Sequence, residues 1–382
     1  MLQLKLASRR IRSAAVHIPD GYLSPATCAA LYGGAIPFWY ASLRRLRQRL
    51  NTRLVPLLSL FAAFAFVVML FNLPLPGGTT GHAVGVAVAA IVLGPSASIL
   101  AISTAILIQA LFFGDGGLTT LGANCFNMAI VGSLVAYGVY HAIAGRSLLT
   151  SRRRVIAAAV AGYAAINAAA LCTALELGIQ PIFYHDAAGA PLYAPYPLRI
   201  AIPAMMIGHL TIAGLAELVL SGGMLAYLQR SNPEILLFAR DKKAPILRSG
   251  QNDGLRSTKP LWVGLAMALL LTPLGVLAVG SAWGEWSARD FAHAETREQI
   301  ATASLNHAPP SQVPQGLDKL TTFWTAPFPS YSVPFVHSQF VGCVLSAMFG
   351  TGMIILLTLA LRIHGRIFPG SSVTPPRETH GR

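Results

Sequence analysis

Charged residues are scarce, making up 11% of the 382 residues, against ~25% in soluble domains. Hydrophobic residues make up 54%, so the composition excludes an ordinary soluble domain and points to a membrane protein. Acidic side chains are the rarest charged type, 14 Asp and Glu against 28 Lys and Arg, for a formal net charge of +14. In a soluble domain that excess would suggest nucleic acid. Here the basic residues gather in short links between apolar runs, which is how topology is encoded in a bilayer. The expected partner is membrane lipid and not nucleic acid. Cysteine is also sparse. Cys28, Cys125, Cys172 and Cys343 each stand alone in an apolar run, without C-x-x-C spacing or regular intervals, which argues against a disulfide framework and leaves packing residues. No G-x-x-x-x-G-K-[ST] occurs, so ATP is not bound by this chain in the usual way. Neither H-E-x-x-H nor a G-x-S-x-G elbow appears, which weakens the case for an intramembrane hydrolase.

What is present is a series of apolar runs at about 26–43, 54–73, 82–94, 96–113, 121–144, 155–177, 199–228, 261–283 and 339–361. Gly94-Pro95 separates the third from the fourth. At 1.5 Å per residue the 82–94 piece reaches only ~20 Å, short for a ~30 Å hydrocarbon core. The links at 44–53, 145–154 and 229–259 and the tail from 362 hold five, four, seven and four basic residues. These four segments share one side if the chain makes about nine spans, with its N-terminus outside and its C-terminus cytoplasmic. The fold class expected is an all-α polytopic membrane protein. The opposite side holds only Arg199, Arg289, Arg297 and Lys319, apart from the four basic residues of 1–15.

Two segments fall together on the outer side, although their histidines played no part in placing them. One is His17-Ile-Pro-Asp-Gly-Tyr-Leu-Ser-Pro25, the other Gly77-Gly-Thr-Thr-Gly-His82. Pro19 lacks an N–H and Gly21 tolerates turn geometry, so the first reads as a fixed lid segment. A histidine second in a chain can offer a terminal amine, its own deprotonated amide and its Nδ1. A nitrogen from a second histidine would complete a plane, and square-planar nitrogen sites favour Ni(II) or Cu(II). That chelate requires a free amine at Val16. Valine codons include GUG, an alternative bacterial start, so residues 1–15 are expected to be an extension arising from a mis-assigned start. Removing them also removes the discordant outer charges. On spacing alone, His17 and His82 read rather as ordinary loop histidines.

At these residues the sequence resembles the CbiM/NikM family, the substrate-binding membrane components of energy-coupling factor transporters for cobalt and nickel. The resemblance is carried by the His17–Pro25 segment, by Thr-Gly-His-Ala-Val-Gly at 80–85, by Leu-Gly-Pro at 93–95, and by the stretch from Gln109 to Met128. It covers roughly 17–235 and implies a seven-helix bundle whose starting residues enter the core to build the metal site. It maps the amine donor onto residue 16, the second-position histidine onto His17 and the fourth nitrogen onto His82. The family begins with Met-His, so Val16 and the extension are departures. It further implies a bacterial inner-membrane protein that carries Co2+ or Ni2+ as cargo and needs no cofactor. A membrane coupling subunit and an ATPase pair would be separate chains. After residue 260, Thr272–Trp286, Pro314-Gln-Gly-Leu-Asp-Lys-Leu320 and Trp324–Pro329 resemble the two-span NikN/CbiN component, whose Pro-Asp-Gly-Leu-Glu motif is softened here to Pro-Gln-Gly-Leu-Asp. The implied division is 16–235 for metal binding, 236–259 as a basic cytoplasmic linker, 260–364 as the second module and 365–382 as a tail. The outer segment 284–338 reads either as a cover over the metal mouth or as a solvated linker.

Other polar residues in or near the spans carry open readings. Asn124 and Asn127 start a span near the His82 loop and could orient the ligand histidines; Asn124 reads equally as a helix cap. Asp20 could accept a bond from an imidazole or simply shape the Pro-Asp-Gly turn. His209 and Glu217, eight residues apart, share a helical face and read as interhelical hydrogen-bonding groups. A self-sufficient secondary carrier of divalent metal is the alternative function. It should show ion-pathway carboxylates near the midplane, for which Glu217 is the candidate.

Overall fold

Runs of apolar residues without internal breakers become helices, and where the run is apolar all round the helix goes to the centre. The computed structural model describes residues 17–47, 54–237, 258–277 and 281–367. The expected extension 1–15, Val16, most of the 236–259 linker and most of the tail lie outside the described residues.

Helix α1 spans Pro25–Arg47 and ends on Arg44, Arg45 and Arg47. Helix α2, Leu54–Met69, is apolar throughout and buried at nearly every position. A short antiparallel hairpin follows, β1 Leu73–Leu75 paired with β2 Thr79–Gly81, with Pro74 opposite Thr80. It corrects the all-α expectation, which read 74–81 as a loop. Pro74, Pro76, Gly77 and Gly78 forbid a helix there, and Gly77 and Gly78 take the positive φ values that a tight turn needs. Helix α3, Val86–Leu93, is buried at all eight positions. The expected helix start at 82 is therefore four residues early, and His82 sits in the extended approach to α3.

Helix α4, Pro95–Ile108, runs into a π-type turn at Gln109–Phe113. Helix α5 occupies Leu121–Ala144, α6 Arg152–Gly178 and α7 Leu198–Ser231. Alanine fills the buried face of α6, which lets α5, α7 and α3 approach it closely. Further π-type turns interrupt α5 at Cys125–Val131 and α7 at His209–Ala213. Each of the three π turns carries a polar residue of the interior: Gln109, Asn127 or His209.

Helix α8, Lys259–Leu271, stops early and passes into a 3-10 turn at Thr272–Leu277. Pro273 lies in that turn and cannot continue a regular helix, so the regular α-helix in the run expected at 261–283 ends at Leu271. Short helices at Ala288–Ala292, Ala294–Ala303 and Gln315–Leu320 give the 284–338 segment a fold of its own. Helix α9, Gln339–Ile367, closes the described chain and packs against α2.

Among the described residues five helices are long and apolar enough to cross a membrane: Pro95–Phe113, Leu121–Ala144, Arg152–Phe183, Leu198–Ser231 and Gln339–Ala360. Leu54–Met69 and Lys259–Gly275 are shorter apolar helices. Large apolar side chains lie on the outside of this bundle, including Val219, Leu215, Ile156 and Tyr40. In water such a surface would be a liability; in lipid it is the expected exterior. The protein is a multi-pass, mostly helical membrane protein.

Candidate metal centre

One end of the bundle gathers the His17–Pro25 segment, the hairpin approach to α3, the 114–120 loop between α4 and α5, and part of 281–338. Fixing an irregular segment inside a bundle requires partners for its backbone groups, and His17's neighbour Ile18 is clamped on both sides. Asn124 Oδ1 accepts from Ile18 N at 2.9 Å, and Asn124 Nδ2 donates to Ile18 O at 3.0 Å. Thr120 Oγ1 and Gly117 N donate to the same carbonyl. Gly116, at φ +81°, lets this loop pass under His17, since a Cβ there would lie 2.8 Å from the His17 Cβ. Asp20 accepts from Leu118 N, Thr119 N and the Thr119 hydroxyl. Its carboxylate thus holds the Leu118–Thr119 loop, a partner that neither reading of Asp20 named.

The carboxylate that meets His17 is Asp115, from the Gly-Asp-Gly-Gly loop. His17 Nδ1 donates to Asp115 Oδ1 at 2.7 Å, and Tyr331 OH donates to Asp115 Oδ2 at 2.5 Å. Burial raises the Asp115 carboxyl, but His17, Tyr331 and His82 more than offset it and hold it below its ordinary value. With Nδ1 donating, the Nε2 of a neutral His17 carries a lone pair. His82 reaches the same state by a different route. Its Nδ1 donates to Ala83 O at 3.0 Å, again leaving the lone pair on Nε2. Burial, and then neighbouring His17, push the His82 imidazole down to about 3, so it is neutral near pH 7.

The two rings lie 5.5 Å apart, centroid to centroid. Both Nε2 atoms are buried and have no hydrogen-bond partner, as are Thr80 Oγ1 and Glu285 Oε2. All four residues line one cavity of about 70 Å³, together with Asn124 and His209. Buried polar atoms are nearly always paired, so four unpaired ones around one cavity mark a place where a ligand's bonds replace those missing. Neutral imidazole is the commonest protein metal ligand, and a carboxylate behind one of the rings is the usual arrangement for orienting it. Among the described residues no three His, Cys, Asp or Glu side chains converge at metal-ligand spacing. Three imidazoles line the pocket, and those of His17 and His82 carry an unpartnered Nε2.

The remaining candidates have different tasks. Asn127 donates to Glu176 Oε2 at 2.7 Å and to Thr173 at 3.1 Å. It ties α5 to α6 and does not touch either histidine. Glu217 is fully buried and accepts from Val84 N at 2.7 Å and Gly85 N at 3.0 Å, so it anchors the chain just after His82 and fills open donors at the start of α3. His209 bonds Met205 O within its own helix at 2.9 Å and lines the cavity. The expected chelate used His17 Nδ1, the nitrogen that here faces Asp115, and Val16 lies outside the described residues.

Sequence reasoning passed over Asp115, Tyr331 and Glu285. Asp115 stands inside the quoted Gln109–Met128 stretch, where an acidic residue among glycines was the available signal. Glu285 is the acid between two tryptophans in Trp283-Gly-Glu-Trp286. Burial, and then the charge of Asp115, push the Glu285 carboxyl well above the usual range.

Residues 17–235 match the model of the cobalt uptake substrate-specific transmembrane region, CbiM, and residues 258–364 match the PDGLE domain. The fused nickel transport protein NikMN of Rhodobacter capsulatus is 53% identical over 89% of this chain and 95% of its own length. The probable fused nickel transport protein LarMN of Lactiplantibacillus plantarum is 37% identical over 91% of this chain and 98% of its own. A crystal structure of a transition metal transporter superposes with a TM-score of 0.54 at 45% identity, covering 60% of this chain and 99% of that one. By these matches the chain belongs to the CbiM/NikM family of cobalt and nickel transport membrane proteins, with a PDGLE, NikN-like module fused behind it.

Proposed function

We propose that this chain is the metal-capturing subunit of an ATP-driven energy-coupling factor importer, and that His17 and His82 hold the incoming ion. The observation that carries the reading is the pair of buried, unpartnered Nε2 atoms whose tautomers are both set by bonds at Nδ1. Two such lone pairs facing one cavity suit a borderline divalent cation, Ni2+ or Co2+. The names of the fused relatives support nickel. In this reading the chain makes about nine spans, with the histidine-bearing end outside and the basic links cytoplasmic. It is not an enzyme. A separate coupling subunit and ATPase pair supply the work, meeting the chain at its arginine-rich links.

The domain division carries over as 16–235 for capture, 236–259 as linker, 260–364 as the second module and 365–382 as tail. A free amine at residue 16 would add a donor, with His17 Nδ1 exchanging Asp115 for the metal. Intact mass of the chain expressed from its native start region tests whether that amine exists. Adding one residue ahead of position 16 in a chain that starts there should then weaken binding. Asp20 and Asn124 act on the site through the loop and backbone they hold.

The deciding experiment is nickel and cobalt uptake by cells expressing the chain alone and with its ATPase and coupling subunits. Uptake that requires the partners and ATP is expected. Strong uptake by the chain alone, driven by the proton gradient, would instead favour the secondary carrier. Glu217, the carboxylate that reading needs, is occupied by the backbone of Val84 and Gly85.

A further inference from the structure

We infer that Glu285, contributed by the NikN-like module, is the charge-balancing carboxylate of the metal cavity. The inference deepens the two-histidine reading and rests on it. Imidazole nitrogens at His17 and His82 would supply lone pairs to the ion but no negative charge, and a buried divalent cation needs countercharge. Asp115 supplies one negative charge behind His17. Glu285 is a carboxylate on the cavity wall itself, and its Oε2 is buried with no partner.

The side chain is held there by its neighbours. Gly284 turns the chain at φ +85°, where a side chain would be strained and its Cβ would press within 3.0 Å of Leu177. Trp283 and Trp286 flank it, both buried and packed edge-on with centroids 5.7 Å apart. Trp283 Nε1 donates to Ser304 at 3.2 Å. The Trp286 carbonyl accepts from Tyr22 OH at 2.6 Å, and Tyr22 belongs to the segment that begins with His17. The strand of chain bearing Glu285 is therefore tied directly to the strand bearing the first histidine. A buried carboxylate left unpartnered at the end of so fixed a scaffold is destabilising in the empty protein, and a cation in the cavity relieves it.

The test is Ni2+ binding to the purified full chain in detergent, by competition with a chromophoric chelator, for Glu285→Gln, Glu285→Asp and His82→Ala, together with metal-free thermal unfolding. Glu285→Gln is expected to weaken Ni2+ binding about 10–100-fold, as for removal of a group supporting a metal site, while raising the metal-free unfolding temperature. Glu285→Asp, which keeps the charge, should recover part of the affinity. Wild-type affinity in Glu285→Gln with binding lost in His82→Ala overturns the role of Glu285 alone. Wild-type affinity in both overturns the two-histidine reading and this inference with it. A metal-free Glu285→Gln chain that is less stable than wild type shows the carboxylate to be a structural group and overturns the inference.

Discussion

The two histidines of the cavity come to present an unpartnered Nε2 by different means. His17 donates its Nδ1 proton to a carboxylate, Asp115, which is itself held by Tyr331 from the second module. His82 donates to the carbonyl of its own neighbour Ala83. A carboxylate behind an imidazole makes it more basic and fixes its ring; a carbonyl fixes the tautomer and adds no charge. The supports of the backbone differ too. The chain around His17 is gripped by side chains remote in sequence, Asn124 and Thr120 among them, whereas the chain after His82 hangs on the single carboxylate of Glu217. The contrast suggests that His17 is the tunable donor, linked to the rest of the molecule, and His82 the fixed one.

The comparison can be broken at several points. Removal of a donor should cost most. His82→Ala is expected to lower metal affinity by more than about 100-fold, beyond the about 10–100-fold cost of removing a donor's outer partner; equilibrium dialysis with Ni2+ reads it, and unchanged retention removes His82 from the site. Next is Asp115→Asn, expected to cost about 10–100-fold, because the amide cannot accept the Nδ1 proton with a full charge. If that substitution leaves affinity unchanged, the two histidines are equivalent after all. Glu217→Ala should act on stability first, since it strands two backbone N–H groups at about 1–3 kcal/mol each; thermal unfolding in detergent measures it. An affinity loss matching that of Asp115→Asn would erase the distinction between charge support and scaffold support.

The last effect appears only on acidification. The unfolded chain protonates His82 near its ordinary 6.5, whereas the folded chain does so only near about 3. Protons therefore favour the unfolded state across that window, so the His82 contribution is complete above about 6.5 and is lost as pH falls toward 3. Unfolding temperatures of wild type and His82→Ala should converge on acidification through this range. Parallel pH profiles would mean that His82 is not buried as a neutral ring.

Much of the bundle was legible in the sequence because long apolar runs have few alternatives in a bilayer. The failures fall where local chemistry competes with the run. Pro273 turned the α-helix of the 261–283 run into a 3-10 turn after Leu271, and Pro74 to Gly78 made a hairpin where a loop was expected. The histidine-bearing segments were visible from their turn residues and shared side. Their supports were not. Asp20 was the nearest acid in sequence, yet its carboxylate is consumed by the Leu118–Thr119 backbone, and Asp115, ninety-eight residues from His17, takes the imidazole. Asn124 and Asn127 are three residues apart, but the π-type turn that begins at Cys125 contains Asn127 and not Asn124. Asn124 faces Ile18 and Asn127 faces Glu176. Contacts between segments so far apart depend on how the helices pack, and no spacing rule carries that information.

The central claim is that two imidazole nitrogens, one from each segment, meet the same ion. Nickel-edge X-ray absorption on the full chain loaded with Ni2+, compared with His82→Ala and His17→Ala, tests it most directly. The structure leads us to expect outer-shell scattering from two imidazoles in the parent and from one in each variant that still retains metal. Scattering without imidazole, or unchanged by either substitution, would contradict the account.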